Sequence, residues 1–207
     1  FYNMGSPKEA EPYWLEVKEI KAKIFGLEHP KYAASLNDLG LLYVQLGQYD
    51  VAEKFQIEAK NIRQNSLGKN HPDFAISLIN LALLYQKMGQ YDKTEPLLLE
   101  AKSILEKTLG KGHPVYTSCI STLAITYSKL AKYEKAKYLF IEVRNARELK
   151  LGKEHPEFAS SLNNLANVYL RLGEYEMAES LNIEAKNIRQ KVLGKEHPDY
   201  AMSLNNL

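Results

Sequence analysis

Leu67–Gly110 reads LGKNHPDFAISLINLALLYQKMGQYDKTEPLLLEAKSILEKTLG, and this stretch decides the fold. From Asp73 to Met88 the apolar residues Phe74, Leu78, Leu81, Ala82 and Tyr85 recur at steps of three and four, one stripe of an amphipathic helix. Pro72 suits the first turn of that helix, where its missing N–H costs nothing, and His71 then falls at or near the cap. Gly89 stands where a left-handed residue would end it. A second stripe starts at Tyr91 and runs through Leu97, Leu98, Ala101, Ile104 and Leu105 before Leu109-Gly110 stops it. Loops of a few residues make such neighbours pack antiparallel, so the stretch predicts a hairpin of two helices, A and B.

The hairpin recurs. Every histidine precedes a proline, and His29, His71, His113, His155 and His197 are spaced by 42 residues. A fixed period of this length marks a repeat array, in which each unit buries a face against its neighbours. Gly5, Gly47 and Gly173 match Gly89, and Ala131 replaces the glycine once. The linker Leu-Gly-Lys-x-His-Pro appears at Leu67–Pro72, Leu109–Pro114, Leu151–Pro156 and Leu193–Pro198, with Phe25-Gly26-Leu27-Glu28 as its loose copy. The expectation is an all-α solenoid of about five units forming one domain over residues 1–207. Phe1 shares the register of Tyr43 and Leu207 that of Leu39, so both ends are expected inside helices, and the chain is expected to be the middle of a longer array.

Leu78, Leu81, Ala82, Tyr85, Gly89 and Tyr91 stand at offsets that resemble the tetratricopeptide repeat, whose unit is ~34 residues long. The longer period and the repeated linker resemble the kinesin-light-chain subtype, which is also common in bacterial multidomain proteins. The resemblance covers essentially the whole chain. It implies a right-handed superhelical solenoid of antiparallel helix-turn-helix hairpins and a role in binding proteins or peptides.

Composition narrows the alternatives. Apolar residues make up 45% and charged residues 25%, and no apolar run approaches the roughly 18 residues that cross a bilayer. A net charge of +2 is too small for nucleic acid, which calls for a concentrated basic stripe. Cys119 alone excludes an intrachain disulfide and fits a reducing, cytoplasmic setting. The histidines cannot share a metal, because equivalent residues of stacked hairpins lie ~8–10 Å apart against zinc–nitrogen bonds of ~2.0–2.1 Å. With all five committed to one structural position, Cys119 in register with Ser35, Ser77, Ser161 and Ser203, and no phosphate loop or nucleophile elbow, neither catalysis nor a cofactor is expected.

Binding is expected on the surface lined by helix A. Two positions change together: Asp38, Asn80, Thr122, Asn164 and Asn206 on helix A, and 17 residues earlier Lys21, Arg63, Leu105, Arg147 and Arg189. Arginine accompanies asparagine, and Leu105 accompanies Thr122. An asparagine amide can hold a peptide backbone, and an arginine fork matches a carboxylate, which together would read an acidic peptide. Lys87, Lys129 and Arg171 would extend the positive lining, with Asn167 beside them. The resemblance to kinesin light chains carries the same peptide-contacting role to Arg63, Asn80, Arg147, Asn164, Arg189 and Asn206. The other reading is that Asn and Arg tie the hairpin junctions by bonding each other or the linker carbonyls.

Further positions carry expectations. Tyr43, Tyr85, Tyr127 and Tyr169 at the end of helix A, and Tyr49, Tyr91, Tyr133 and Tyr175 at the start of helix B, are expected in the core. Trp14, Gln56, Leu98, Phe140 and Asn182 share a position expected at a half-exposed rim, the alternative being a void that admits a ligand side chain. Glu16, Glu58, Glu100, Glu142 and Glu184 are each followed two residues later by a cation, which suggests contacts between hairpins or a solvated face. Segment 57–64 returns unchanged at 183–190, so near-identical units could add head to tail. The functional expectation is a scaffold docking an extended acidic segment. The alternatives are a sensor array of a larger enzyme or a self-assembling structural solenoid.

Overall fold

The computed structural model describes residues 7–207; Phe1 and Gly5, for which helical positions were expected, lie outside them. Among the described residues there are ten helices and no strand. The B helices are α1 (Pro7–Phe25), α3 (Tyr49–Leu67), α5 (Tyr91–Thr108), α7 (Tyr133–Leu151) and α9 (Tyr175–Leu193). The A helices are α2 (Pro30–Gln45), α4 (Pro72–Lys87), α6 (Pro114–Lys129), α8 (Pro156–Leu172) and α10 (Pro198–Asn205). No helix among these residues is long and apolar enough to cross a membrane.

The His-Pro pairs explain where each A helix begins. The histidine takes extended backbone at the N-cap, its Nδ1 accepts from the backbone N–H two residues on, and proline occupies the first turn. In α4 that bond runs from the Asp73 N–H to His71 at 3.1 Å. It satisfies one of the four N–H groups that a helix start leaves unpaired. Each A-to-B turn is closed by a second recurrent bond, the N–H of Gln48, Gln90, Lys132 or Glu174 donating to the carbonyl of the tyrosine five residues earlier. The residue between adopts a left-handed φ of 73° at Gly89 and 57° at Ala131. α10 ends at Asn205 with Asn206 as its cap, so Leu207 stands outside the helix; the carbonyls of a last turn lack following donors, and helix ends fray.

The chain divides after Gly110 into two compact units, α1–α5 and α6–α10. Within each, every helix packs on the next in sequence, and in the first unit α2 also meets α4. The first unit's core joins Leu39, Leu42 and Tyr43 of α2 to Ala52 of α3 and Leu81, Leu84 and Tyr85 of α4. In the second, Leu123, Ala124, Ala136, Phe140, Leu165 and Ala166 are buried. Alanine at the crossings lets helices approach closely. Gly40 replaces it in α2, where an added Cβ would lie 2.6 Å from Cγ of Gln56.

The expected tyrosine core holds for the A helices only in part. Tyr43, Tyr85 and Tyr127 are buried, but Tyr169 is half-buried, as are Tyr49, Tyr91 and Tyr133, while Tyr175 is exposed. The first turn of a B helix lies at the hairpin end, where fewer neighbours cover it. The expected half-exposed rim holds at Trp14, which is half-buried, but its equivalents Gln56, Leu98, Phe140 and Asn182 are all buried, because helix B turns this residue toward the A helices that flank it on both sides.

Candidate functional site

The arginines of helix B point inward. Arg63 Nη1 donates to Ser77 Oγ at 2.9 Å and to the Asp73 carbonyl at 3.2 Å. The Asn37 amide, its oxygen turned to the guanidinium, accepts from Nη1 at 2.5 Å and Nη2 at 3.2 Å. Arg189 repeats the arrangement: Nη1 donates to Ser203 Oγ at 2.7 Å and to Asn163 Oδ1, and Nη2 to Ser160 Oγ at 3.3 Å. Arg147 donates to the Glu157 carbonyl at 3.1 Å, with the Glu157 carboxylate 3.7 Å from Nε. Burial lowers the pKa of all three guanidiniums, opposed by Asp73 and Asp38 at Arg63, by Glu157 at Arg147 and by Asp199 at Arg189.

This bears directly on the expected pairing. Arg63 and Arg189 are only 8% and 2% exposed, with forks turned into their own chain. Their amide partners are Asn37 and Asn163, on the A helix of the same hairpin, rather than Asn80 and Asn206 on the following one. The sequence carried a signal for this: Asn37, Ile79, Ser121 and Asn163 share one register, and they are polar where helix B has Arg and apolar where it has Leu105. In the last hairpin the network extends, with Asn163 Nδ2 donating to Asn182 Oδ1 at 2.9 Å and Asn182 Nδ2 to the Asn206 carbonyl at 2.6 Å.

Four other candidates do come together. In the second unit Lys129 of α6 and Asn164, Asn167 and Arg171 of α8 surround a concavity of about 420 Å³. Ser128 and Tyr133 complete its polar wall, and Ile125, Phe140 and Val168 its apolar floor. Lys129, Asn167 and Arg171 are exposed, and Asn164 is half-buried. No carboxylate belongs to the lining, so two cations face an apolar hollow without a local counter-charge. Phe140, at the position where a void had been the alternative, is the floor. Asn80 and Lys87 occupy the matching register of α4, half-buried and exposed, and Asn206 caps α10.

The repeated glutamates do not run as a ladder between hairpins. Glu142 accepts from Tyr116 at 2.8 Å and Glu58 from Tyr32 at 3.5 Å, each within its own hairpin, because the +3 residue of helix A faces this turn of helix B. A different glutamate joins neighbouring hairpins: Tyr43 donates to Glu11 at 2.6 Å and Tyr85 to Glu53 at 2.7 Å. The hydrogen bond to Glu11 pushes Tyr43 up to about 12; burial and then the bond to Glu53 push Tyr85 up to about 12. At the matching place in the second unit Lys137 lies 5.8 Å from the ring centroid of Tyr169 and pairs with Glu134 and Glu174.

Comparison with known proteins agrees with this architecture. Tetratricopeptide-repeat family models match residues 1–65, 42–93, 73–148 and 158–199. No curated protein matches in sequence. Among solved structures, BtubC (BKLC) from P. vanneervenii superposes with a TM-score of 0.81 at 22% identity, over 94% of this chain and 77% of that one. The nearly identical TPR-like repeats of a Podosopora anserina protein described as a kinesin light chain give 0.77 at 28% identity, over 90% and 88%. MamA gives 0.59 at 14% identity, over 92% and 97%, a likeness of fold alone. With hairpins, linkers and matches concordant along its length, the chain belongs to the tetratricopeptide-repeat family.

Proposed function

We propose that the chain is a protein-binding scaffold whose second unit docks an extended acidic segment across the concavity between α6 and α8. The observation that carries the reading is the lining itself: Lys129 and Arg171 present cations, Asn164 and Asn167 present amides, Phe140 floors the hollow, and no acid competes. The amides can hold a peptide backbone through donor and acceptor together, the cations attract carboxylates, and the floor accepts one apolar side chain. The binding of protein partners is the general role of this repeat family, and the acidic character of the partner is the part inferred from these residues. The histidines serve as helix caps and Cys119 is fully buried, so the side chains that most often do chemistry are occupied structurally.

The test is enrichment from a randomised peptide library at low and moderate salt, comparing the native chain with a Lys129→Ala, Arg171→Ala variant. Acidic peptides enriched by the native chain and lost in the variant support the reading; equal enrichment by both, or none by either, ends it. Arg63 and Arg189 are unsuitable for this purpose, since removing them takes the cation from the buried Asn37 and Asn163 oxygens and confounds binding with folding.

A further inference from the structure

A second concavity lies between a linker and a B helix in the first unit, away from the residues just described. The α1–α2 linker and α3 enclose about 510 Å³, with Leu27, Ile57 and Ile62 supplying apolar surface and Glu28, Glu58 and Asn65 polar surface. Leu27 is where the loose linker copy departs from the repeat: Lys69, Lys111, Lys153 and Lys195 stand at its register. It is 59% exposed, and Ile24, in the turn before, is 65% exposed. An aliphatic residue thus stands at the lip of a hollow where every other linker places an ammonium.

The matching register of the second unit carries a different pair of side chains. There Glu154 of the linker and Lys191 of α9 form an ion pair that ties linker to helix at the surface. Glu28 is the counterpart of Glu154, and Asn65 is the counterpart of Lys191. The bridging cation is therefore replaced by an amide, and no ion pair to Glu28 occurs among the described residues. Glu58 adds a second carboxylate whose contact with Tyr32 is long, at 3.5 Å. Lys54 is the single cation of the lining, against two acids.

We infer that this groove docks a partner-protein segment carrying an aliphatic side chain beside a lysine or arginine. The aliphatic group covers Leu27 and Ile57, and the cation takes beside Glu28 the place that the Lys191 ammonium holds beside Glu154. The chain's own repeat is the template for the contact, and the complementarity is opposite in sign to that of the cationic concavity in the second unit. A groove of this size accepts a few side chains, which puts the interaction among weak, readily reversible ones.

The probe is an acetylated, amidated peptide of sequence Ala-Leu-Lys-Leu-Leu-Arg-Ala, with a counterpart bearing glutamate in place of Lys and Arg. The readout is methyl NMR of Leu27, Ile57 and Ile62 in the whole chain. The basic peptide is expected to shift these methyls saturably and the acidic one to leave them in place. Asn65→Lys, which supplies the missing cation from within, and Leu27→Lys, which restores the common linker, should each weaken binding by about tenfold or more with unchanged circular dichroism. Both variants should still enrich acidic peptides at Lys129 and Arg171, so failure of one site is distinguishable from failure of the other. Methyls unmoved by the basic peptide, or undiminished binding in Asn65→Lys, overturns the inference. A sedimentation mass that rises with concentration in the native chain and not in Asn65→Lys also overturns it, in favour of a second copy as occupant.

Discussion

Gln56 in the first unit and Asn182 in the second stand at one repeat position, both buried, yet their amides are handled differently. Asn182 accepts from Asn163 and donates to the Asn206 carbonyl, so its polarity is absorbed into the network around Arg189. Neither amide atom of Gln56 has a hydrogen-bond partner among the described residues, and its stem instead fills the space that Gly40 leaves. A third solution appears at Phe140, which is apolar and leaves a hollow above it. The repeat therefore fixes where helix B meets the A helices but leaves open how the seam is closed: by a polar network, by a Gly-Gln fit, or by an aromatic floor that opens onto a site.

The largest effect is expected at the arginine seam. Arg63→Leu strands the Asn37 oxygen in a buried place, while Ser77 Oγ keeps its bond to the Asp73 carbonyl, and should cost about 3 kcal/mol in chemical denaturation, within the range for breaking a buried charge-assisted contact. Adding Asn37→Ile recreates the Ile79/Leu105 combination that the next hairpin already carries, both residues buried there. The double variant should recover to within about 1 kcal/mol of the native chain, since replacing both partners by apolar groups is close to neutral. If the double variant is no better than the single one, the arginine acts through something other than its pairing with Asn37.

Next in size is the Gly-Gln fit. Gly40→Ala forces Cβ into Gln56 Cγ and should cost about 1–3 kcal/mol, the usual penalty of overpacking. Combined with Gln56→Leu it reproduces the Ala82/Leu98 combination and should be at least as stable as the native chain, because the buried unpaired amide goes too. Equal losses in the single and double variants would show that α2 needs the glycine for its own backbone.

These two cases mark how far the sequence could be read. Helix bounds were legible because His-Pro and Gly act locally: the cap and the left-handed turn are fixed by the residues themselves. The direction in which Arg63 points was not, because a helix position near a seam can face the groove or the interior, and composition does not distinguish them. Co-variation with Asn80 at a separation of 17 suggested the groove, while that with Asn37 at a separation of 26 identifies the real neighbour. The cationic concavity was legible at Lys129, Asn164, Asn167 and Arg171 because these lie on A helices, but its floor was not, since burial of Phe140 depends on three helices at once.

The two clasps between neighbouring hairpins make the first unit sensitive to alkaline pH. Tyr43 and Tyr85 titrate at about 12 when folded, above the ~10 of an unfolded tyrosine, so their contribution is fully present below about pH 10 and is lost as pH rises toward 12. Ultraviolet titration should show these two as late-ionising groups, and Glu53→Gln should bring Tyr85 down. The first unit should lose stability across that window. Were Tyr85 to titrate unchanged in Glu53→Gln, burial alone would account for its shift.

The smallest effect sharpens the same comparison at a single Cβ. Ala131 holds φ at 57° in the α6–α7 turn, where Gly47, Gly89 and Gly173 serve the other hairpins at 73°, 73° and 79°. A left-handed residue other than glycine carries a steric cost of roughly 1–2 kcal/mol, and glycine's larger unfolded-state entropy returns part of it. Ala131→Gly should therefore stabilise the second unit by about 0.5–1 kcal/mol, and Gly89→Ala should destabilise the first by a similar amount. No neighbouring atom lies within 4 Å of a Cβ added at Gly89, so backbone strain alone is tested there. Matched and opposite shifts in the two denaturation curves would establish that one turn geometry serves both units; a neutral Ala131→Gly would mean that the α6–α7 turn has relaxed to suit its alanine.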